Sequence, residues 1–169
     1  MARLKLRQGN ATVDITVSPG GDQKLEGWIM PLVYYDIIRG RSRDQLRALL
    51  DSAQAAMVEA FGTPERDRYQ LVTEHSPGEM VMQDNGLGIE RSGNVVVIHM
   101  ISRQGRKTRS QKEDLYALLA RNLERDCGLD PADLVVSIIE NEDEDWSIGY
   151  GKAQFCNGEL DPVTSHPRK

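Results

Sequence analysis

The sequence predicts an α+β fold: two β-α-β units in tandem, giving a four-stranded sheet with two helices on one face. Two observations carry this. A strand, an amphipathic helix and a second strand follow one another twice between residues 32 and 139, with matching punctuation. Each helix carries a single apolar stripe, the pattern of a helix laid on a sheet. A chain of 169 residues is also long enough for one domain with its own core.

The elements follow in order. Leu32 to Ile38 is apolar and rich in β-branched and aromatic residues, so it reads as a strand. Ser42, with Gln45 three positions on, fits a capping box that satisfies orphan N–H groups at a helix start. Leu46, Leu49, Leu50, Ala53, Met57, Ala60 and Phe61 then recur at helical spacing. Gly62 stands where a helix end turns left-handed, and Pro64 blocks continuation. Tyr69 to Glu74 is the second strand. In the second unit, Val95 to Ile101 is an almost continuously apolar strand. Ser110 and Glu113 offer another capping box, and Leu115, Leu118, Leu119 and Leu123 line a helix face. Gly128 and Pro131 end that helix, and Leu134 to Ile139 is the last strand.

A helix between two strands of one sheet makes a parallel crossover. Segment 76–94 connects the units, with Asn85-Gly-Leu-Gly88 as a turn, and 147–160 is expected to form a small hairpin. Two helices cover only one face of the sheet. Strands 95–101 and 134–139 are apolar on both faces, so the second face also calls for cover, most simply from other copies of the chain.

Composition narrows the function. Net charge is -5 and the pI about 5.3, which argues against nucleic-acid or anionic-membrane partners. No stretch is apolar enough to span a bilayer, and the charged start Met1 to Arg7 is followed by no apolar run, so a cytoplasmic protein is expected. Cys127 and Cys156 read as two reduced thiols. The acidic run Glu140 to Asp145 has no EF-hand spacing and reads as a solvated loop. Lys107 and Arg109 also read as solvated loop charges. His75 and His99 have no nearby partner set in the sequence, and His99 reads as a core or interface residue. The tail from Pro162 to Lys169 is expected to be disordered.

Several short motifs remain. Pro31-Leu-Val-Tyr-Tyr-Asp-Ile-Ile follows a methionine. Then come Ala60-Phe-Gly-x-Pro, Asp67-Arg-Tyr-Gln, His75-x-Pro-Gly-Glu, Ile101-Ser-Arg, Leu123-Glu-Arg-Asp-Cys-Gly and Glu140-Asn-x-x-x-Asp-Trp-Ser. In order and spacing this collection, over residues 31–160, resembles the malonate semialdehyde decarboxylase branch of the tautomerase superfamily. The resemblance implies a duplicated β-α-β fold assembled as a homotrimer. It implies a catalytic N-terminal proline at Pro31, an aspartate near it at Asp67, and a carboxylate-binding arginine at Arg103. The branch has its second arginine two positions later, where this chain has Gly105. Arg106 is the nearest candidate, and that spacing is similar to the cis-3-chloroacrylic acid dehalogenase branch. The apolar pocket wall implied by the family maps to Trp146, Ile148, Phe155 and Leu160.

The chemistry suits these residue types. A β-oxo acid loses carbon dioxide when its carbonyl can accept electrons, either as an iminium with a secondary amine or hydrogen-bonded to a cation. Guanidinium groups present planar paired donors to the substrate carboxylate. No motif asks for a cofactor or a metal. The expected function is decarboxylation of malonate semialdehyde with possible hydratase side activity. A tautomerase or haloacrylate dehalogenase is the alternative, and a non-catalytic interaction protein the third reading.

All of this requires a free amine on Pro31, because a proline nitrogen inside a chain is an amide with neither proton nor basicity. Two expectations compete. Translation begins at Met30, and removal of that methionine exposes Pro31. Otherwise residues 1–30 form a true extension. Leu4 to Val17 alternates around Gln8-Gly9-Asn10 as a hairpin would, and Ser18-Pro-Gly-Gly21 reads as a linker. The division follows: extension 1–30, tautomerase-like domain 31–160, tail 161–169.

Overall fold

The structure, a computed structural model, describes residues 31–84 and 86–159, and the backbone of 2–8 and 11–17. The linker at 18–21, Leu160 and the tail lie outside the described residues. Strands β1 (Ala2–Gln8) and β2 (Ala11–Val17) pair antiparallel, from Ala2 opposite Val17 to Gln8 opposite Ala11, as the alternation predicts.

The rest is the duplicated unit. Strand β3 (Leu32–Ile38), helix α1 (Arg43–Phe61) and strand β4 (Tyr69–His75) form the first; β5 (Val96–Arg103), α2 (Arg109–Cys127) and β6 (Leu134–Asn141) form the second. The sheet order is β4-β3-β5-β6. Strands within each unit are parallel, and the units meet antiparallel through β3 and β5. Each strand alternates. Val33, Tyr35, Ile37, Val96, Ile98 and Met100 face the helices, where they bury against Leu49, Ala53, Met57 and Phe61 of α1 and Leu115, Leu119 and Leu123 of α2. The Tyr35 phenol lies within this core and takes a hydrogen bond from Gln70 Nε2 at 2.9 Å; burial raises its pKa.

The caps explain the helix limits. Ser42 Oγ accepts the Gln45 N–H while Gln45 Oε1 accepts the Ser42 N–H, and Gly62 ends α1 with φ of +64°. Helix α2 starts earlier than the Ser110–Glu113 pattern suggests. Thr108 and Gln111 make the capping box, and Gly128 ends the helix with φ of +62°. Thr-x-x-Gln satisfies the same rule half a turn sooner, and starting there adds main-chain hydrogen bonds.

The described part of 147–160 corrects a second expectation. It holds turns and one isolated bridge, Gly149 to Lys152, instead of a hairpin. Gln154 organises it, accepting the Ile148 N–H at 3.0 Å and donating to the Gly149 carbonyl at 2.7 Å. A side chain that takes both main-chain groups leaves no ladder to propagate.

The sheet face opposite the helices has no cover among the described residues. Tyr69, Leu71 and Ile139 there are 44%, 47% and 52% exposed. Of these, Ile139 lies on a strand that the sequence reads as apolar on both faces, while Tyr69 and Leu71 belong to β4.

Candidate active site

The strand directions build the site. Because β3 and β4 run one way and β5 and β6 the other, one end of the sheet gathers two strand starts and two strand ends. Leu32 pairs with both Tyr69 and Ile101, and Arg103 pairs with Asn141. Pro31 therefore enters at the end of the sheet where β5 delivers Arg103. Asp67 lies two residues before β4, Arg106 lies in the loop after β5, and Trp146 follows β6. A cavity of about 320 Å³ opens there, its lining including Leu32, Tyr69, Ile101, Asn141, Trp146 and Ile148. Of the residues singled out from the sequence, Trp146 and Ile148 line it. Pro31, Asp67, Arg103, Arg106 and Phe155 stand at the same end of the sheet without forming that lining.

Each position has a local cause. Pro31 is buried at the start of β3. Asp67 is 5% exposed; its N–H closes a turn on the Pro64 carbonyl at 2.9 Å, and its own carbonyl accepts Gln54 Nε2 from α1 at 3.3 Å. The Arg103 side chain is only 5% exposed. Its Nε and Nη2 donate to the two oxygens of Asp143 at 2.7 and 2.6 Å, and its guanidinium carbon lies 3.9 Å from the Phe155 ring centre. Phe155 meets Trp146 edge-on at 6.4 Å, so this aromatic pair braces the arginine. Trp146 Nε1 donates to Asn141 Oδ1 at 2.6 Å. Arg106 Nη2 reaches Asp143 Oδ2 at 3.5 Å. Hydrogen bonds from Arg103 hold the Asp143 carboxyl below the usual carboxylate range, against the opposing effect of its partial burial.

Three readings from the sequence need correction. The acidic run 140–145 is not simply solvated. Asp143 binds Arg103, Glu140 pairs with Lys112 at 3.0 Å, and Asp145 Oδ2 accepts the Glu142 N–H at 2.9 Å. Lys107 is buried, with Nζ on the Phe61 carbonyl at 2.5 Å and 5.0 Å from the Phe61 ring centre, whereas Arg109 is solvated as expected. Phe61 ends α1, where carbonyls lack helical partners and the helix dipole favours a cation. Finally, the histidines do have a shared partner. His75 Nε2 lies 2.7 Å and His99 Nε2 3.6 Å from the two oxygens of Asp36 on the uncovered sheet face. Residues 36, 75 and 99 become neighbours only through strand pairing. Asp143 is missed for the same reason: only the parallel register of Arg103 with Asn141 brings it, two residues later, to the arginine.

Comparison with known proteins then decides the family. Two tautomerase enzyme family models match, one over residues 67–149 and one over residues 31–90. The probable tautomerase YrdN of Bacillus subtilis (strain 168) is 47% identical over 131 residues, covering 78% of this chain and 100% of that protein. The chain belongs to the tautomerase family. A second tautomerase-family relative, the probable tautomerase YusQ of the same organism, is 32% identical across 75% of this chain and 98% of its own length. Among solved structures, a malonate semialdehyde decarboxylase is 50% identical, with a TM-score of 0.72 over 76% of this chain and 98% of that one. The FG41 malonate semialdehyde decarboxylase, inhibited by 3-bromopropiolate, is 38% identical, with a TM-score of 0.72 over 77% of this chain and 98% of that one. The tautomerase fold is thus shared across the described unit. Among the described residues, no helix is long and apolar enough to cross a membrane.

Proposed function

We propose that this tautomerase-family protein is a cofactor-independent carboxy-lyase that converts malonate semialdehyde to acetaldehyde and carbon dioxide, with Pro31 as its N-terminal catalytic residue. The observation that carries the reading is the convergence of Pro31, Asp67 and Arg103 at one end of the sheet beside the Trp146 cavity. Similarity to the two decarboxylases supports it.

In this reading Arg103 and Arg106 hold the substrate carboxylate. The protonated Pro31 amine hydrogen-bonds the aldehyde oxygen. The carbon–carbon bond to the carboxylate breaks, its electron pair passes into the carbonyl as an enolate, and neutral carbon dioxide leaves. Protonation at carbon gives acetaldehyde. Trp146 and Ile148, backed by Phe155, form the apolar wall that favours release of the neutral product. Asp67 favours the cationic amine and, by activating a water, accounts for hydratase side activity; the arginines oppose the cation. Model-peptide α-amino groups titrate at about 7.7–8.0, the starting value on which these opposing charges act.

The active form in this proposal begins at Pro31, with 1–30 lying outside the catalytic domain 31–160. A family model match that starts at residue 31 supports that boundary. The uncovered sheet face, with Tyr69, Leu71 and Ile139, supports assembly as a homotrimer. The decisive experiment compares two proteins, one beginning at Pro31 and one retaining Met30 and all residues before it. Carbon dioxide release from malonate semialdehyde is expected from the first and absent from the second. Equal turnover by a chain proven intact at Met30 would end the proline mechanism.

A second reading, a tautomerase with neutral Pro31 as the base or a haloacrylate dehalogenase, is motivated by the spacing of Arg103 and Arg106. The pH–rate profile separates the two. A cationic proline loses activity as the amine deprotonates, whereas a neutral base gains it. If Pro31 remains internal in the cell, the third reading applies, a non-catalytic protein on the same scaffold.

A further inference from the structure

The two arginines assigned to the substrate carboxylate already converge on a carboxylate of the chain itself. Asp143 Oδ2 lies 2.6 Å from Arg103 Nη2 and 3.5 Å from Arg106 Nη2, and Asp143 Oδ1 lies 2.7 Å from Arg103 Nε. The Arg103 side chain is 5% exposed, while that of Asp143 is 40% exposed. A guanidinium buried to that degree needs a counter-charge at all times. Asp143 supplies one from a short helical turn, Asp143–Asp145, that is held mainly by its own local hydrogen bonds.

We propose that Asp143 is the resident anion of the carboxylate clamp, which the substrate carboxylate replaces on binding. The inference rests on the assignment of Arg103 and Arg106 to the substrate carboxylate. Exchange keeps the buried cation paired throughout and releases Asp143 toward solvent, where its side chain is already partly exposed. It also makes Asp143 a specificity-determining residue. A ligand gains from this clamp only if its anionic group fits the paired donors better than an aspartate does. Neutral aldehydes would have to displace an ion pair and offer nothing in return. The same turn leads into Asp145 and Trp146 of the cavity lining, so release of Asp143 is positioned to move the cavity wall as the carboxylate arrives.

The test uses the full chain and propionate, a three-carbon monocarboxylate that cannot react. Binding is followed by NMR titration in the wild type, Asp143→Asn and Arg103→Met. The asparagine keeps shape and removes the charge. Exchange predicts propionate affinity about tenfold higher for Asp143→Asn, and a larger propionate-induced rise in Tm than in the wild type, since ligand binding to the native state raises stability. Unchanged or weaker binding by Asp143→Asn overturns the inference; weaker binding would mean that Asp143 stays in place and merely orients Arg103. Arg103→Met separates the two levels. If it leaves propionate binding intact, the carboxylate assignment itself fails. If it abolishes binding while Asp143→Asn is neutral, only the exchange fails. Should Asp143→Asn not fold alone, refolding in excess propionate reads the same exchange: recovery supports it, and no recovery refutes it.

Discussion

Single residues at the site divide by how far their surroundings commit them. Arg103 is buried, paired and stacked, so Arg103→Ala removes a charge, a bidentate contact and the cover of Phe155 together. In the Pro31-initiated protein we expect decarboxylation to fall by at least about a hundredfold, read as kcat/KM, while Arg109→Ala, solvated and 92% exposed, stays near wild type. Lys107 shows a structural use of charge. Lys107→Met keeps the stem but removes the cation from the last carbonyls of α1, and a loss of about 1–2 kcal/mol is expected in urea unfolding with an unchanged m-value. The Asp143 carboxyl titrates below its ordinary value through its bonds to Arg103. A carboxylate depressed on folding stabilises the native state above its unfolded pKa and loses that contribution as pH falls through the folded one. The gap in urea midpoint between wild type and Asp143→Asn should therefore be constant near neutrality and close in acid, below the usual aspartate range.

Secondary-structure elements were the most legible scale, because their signals are local. Ser42, Gly62, Gly128 and the two leucine-bearing stripes act on chain within a few residues, and the sequence pattern finds all of them. The displaced helix start, at α2, arose where two capping boxes overlap and main-chain hydrogen bonding chose the earlier one. Thr108→Ala should then cost about 1 kcal/mol in stability, and Ser110→Ala much less, measurable as midpoint shifts by circular dichroism. What the sequence did not yield depends on distance between elements. The neighbours of Arg103, Lys107 and Asp36 are 40, 46 and 39 positions away. A side chain can be assigned to a strand end from local pattern alone, but its partner waits on register. The terminal turns were misread for a related reason: a single glutamine competes with the ladder, and no periodicity announces that.

At the scale of the whole molecule, the helix-free sheet face leaves three large apolar side chains of the strands exposed. Tyr69, Leu71 and Ile139 lie beside the polar trio Asp36, His75 and His99. Under the proposed trimer these are contact positions, so Leu71→Asp should lower the sedimentation coefficient to that of a monomer, because an unpaired carboxylate resists burial. A wild type that already sediments as a monomer would remove the trimer from the proposal. The core between sheet and helices is separate from that face and should keep its circular dichroism signal in the variant.

The antiparallel seam between β3 and β5 has one more consequence. Pro31 and Asp67 belong to the first repeat, and Arg103, Arg106 and Trp146 to the second, so the proposed catalytic set straddles the duplication. In that proposal neither repeat alone holds the whole set. Cutting the chain within the 76–94 connection should leave two fragments that are each inert, and mixing them should restore turnover only to the extent that β3 finds β5 again.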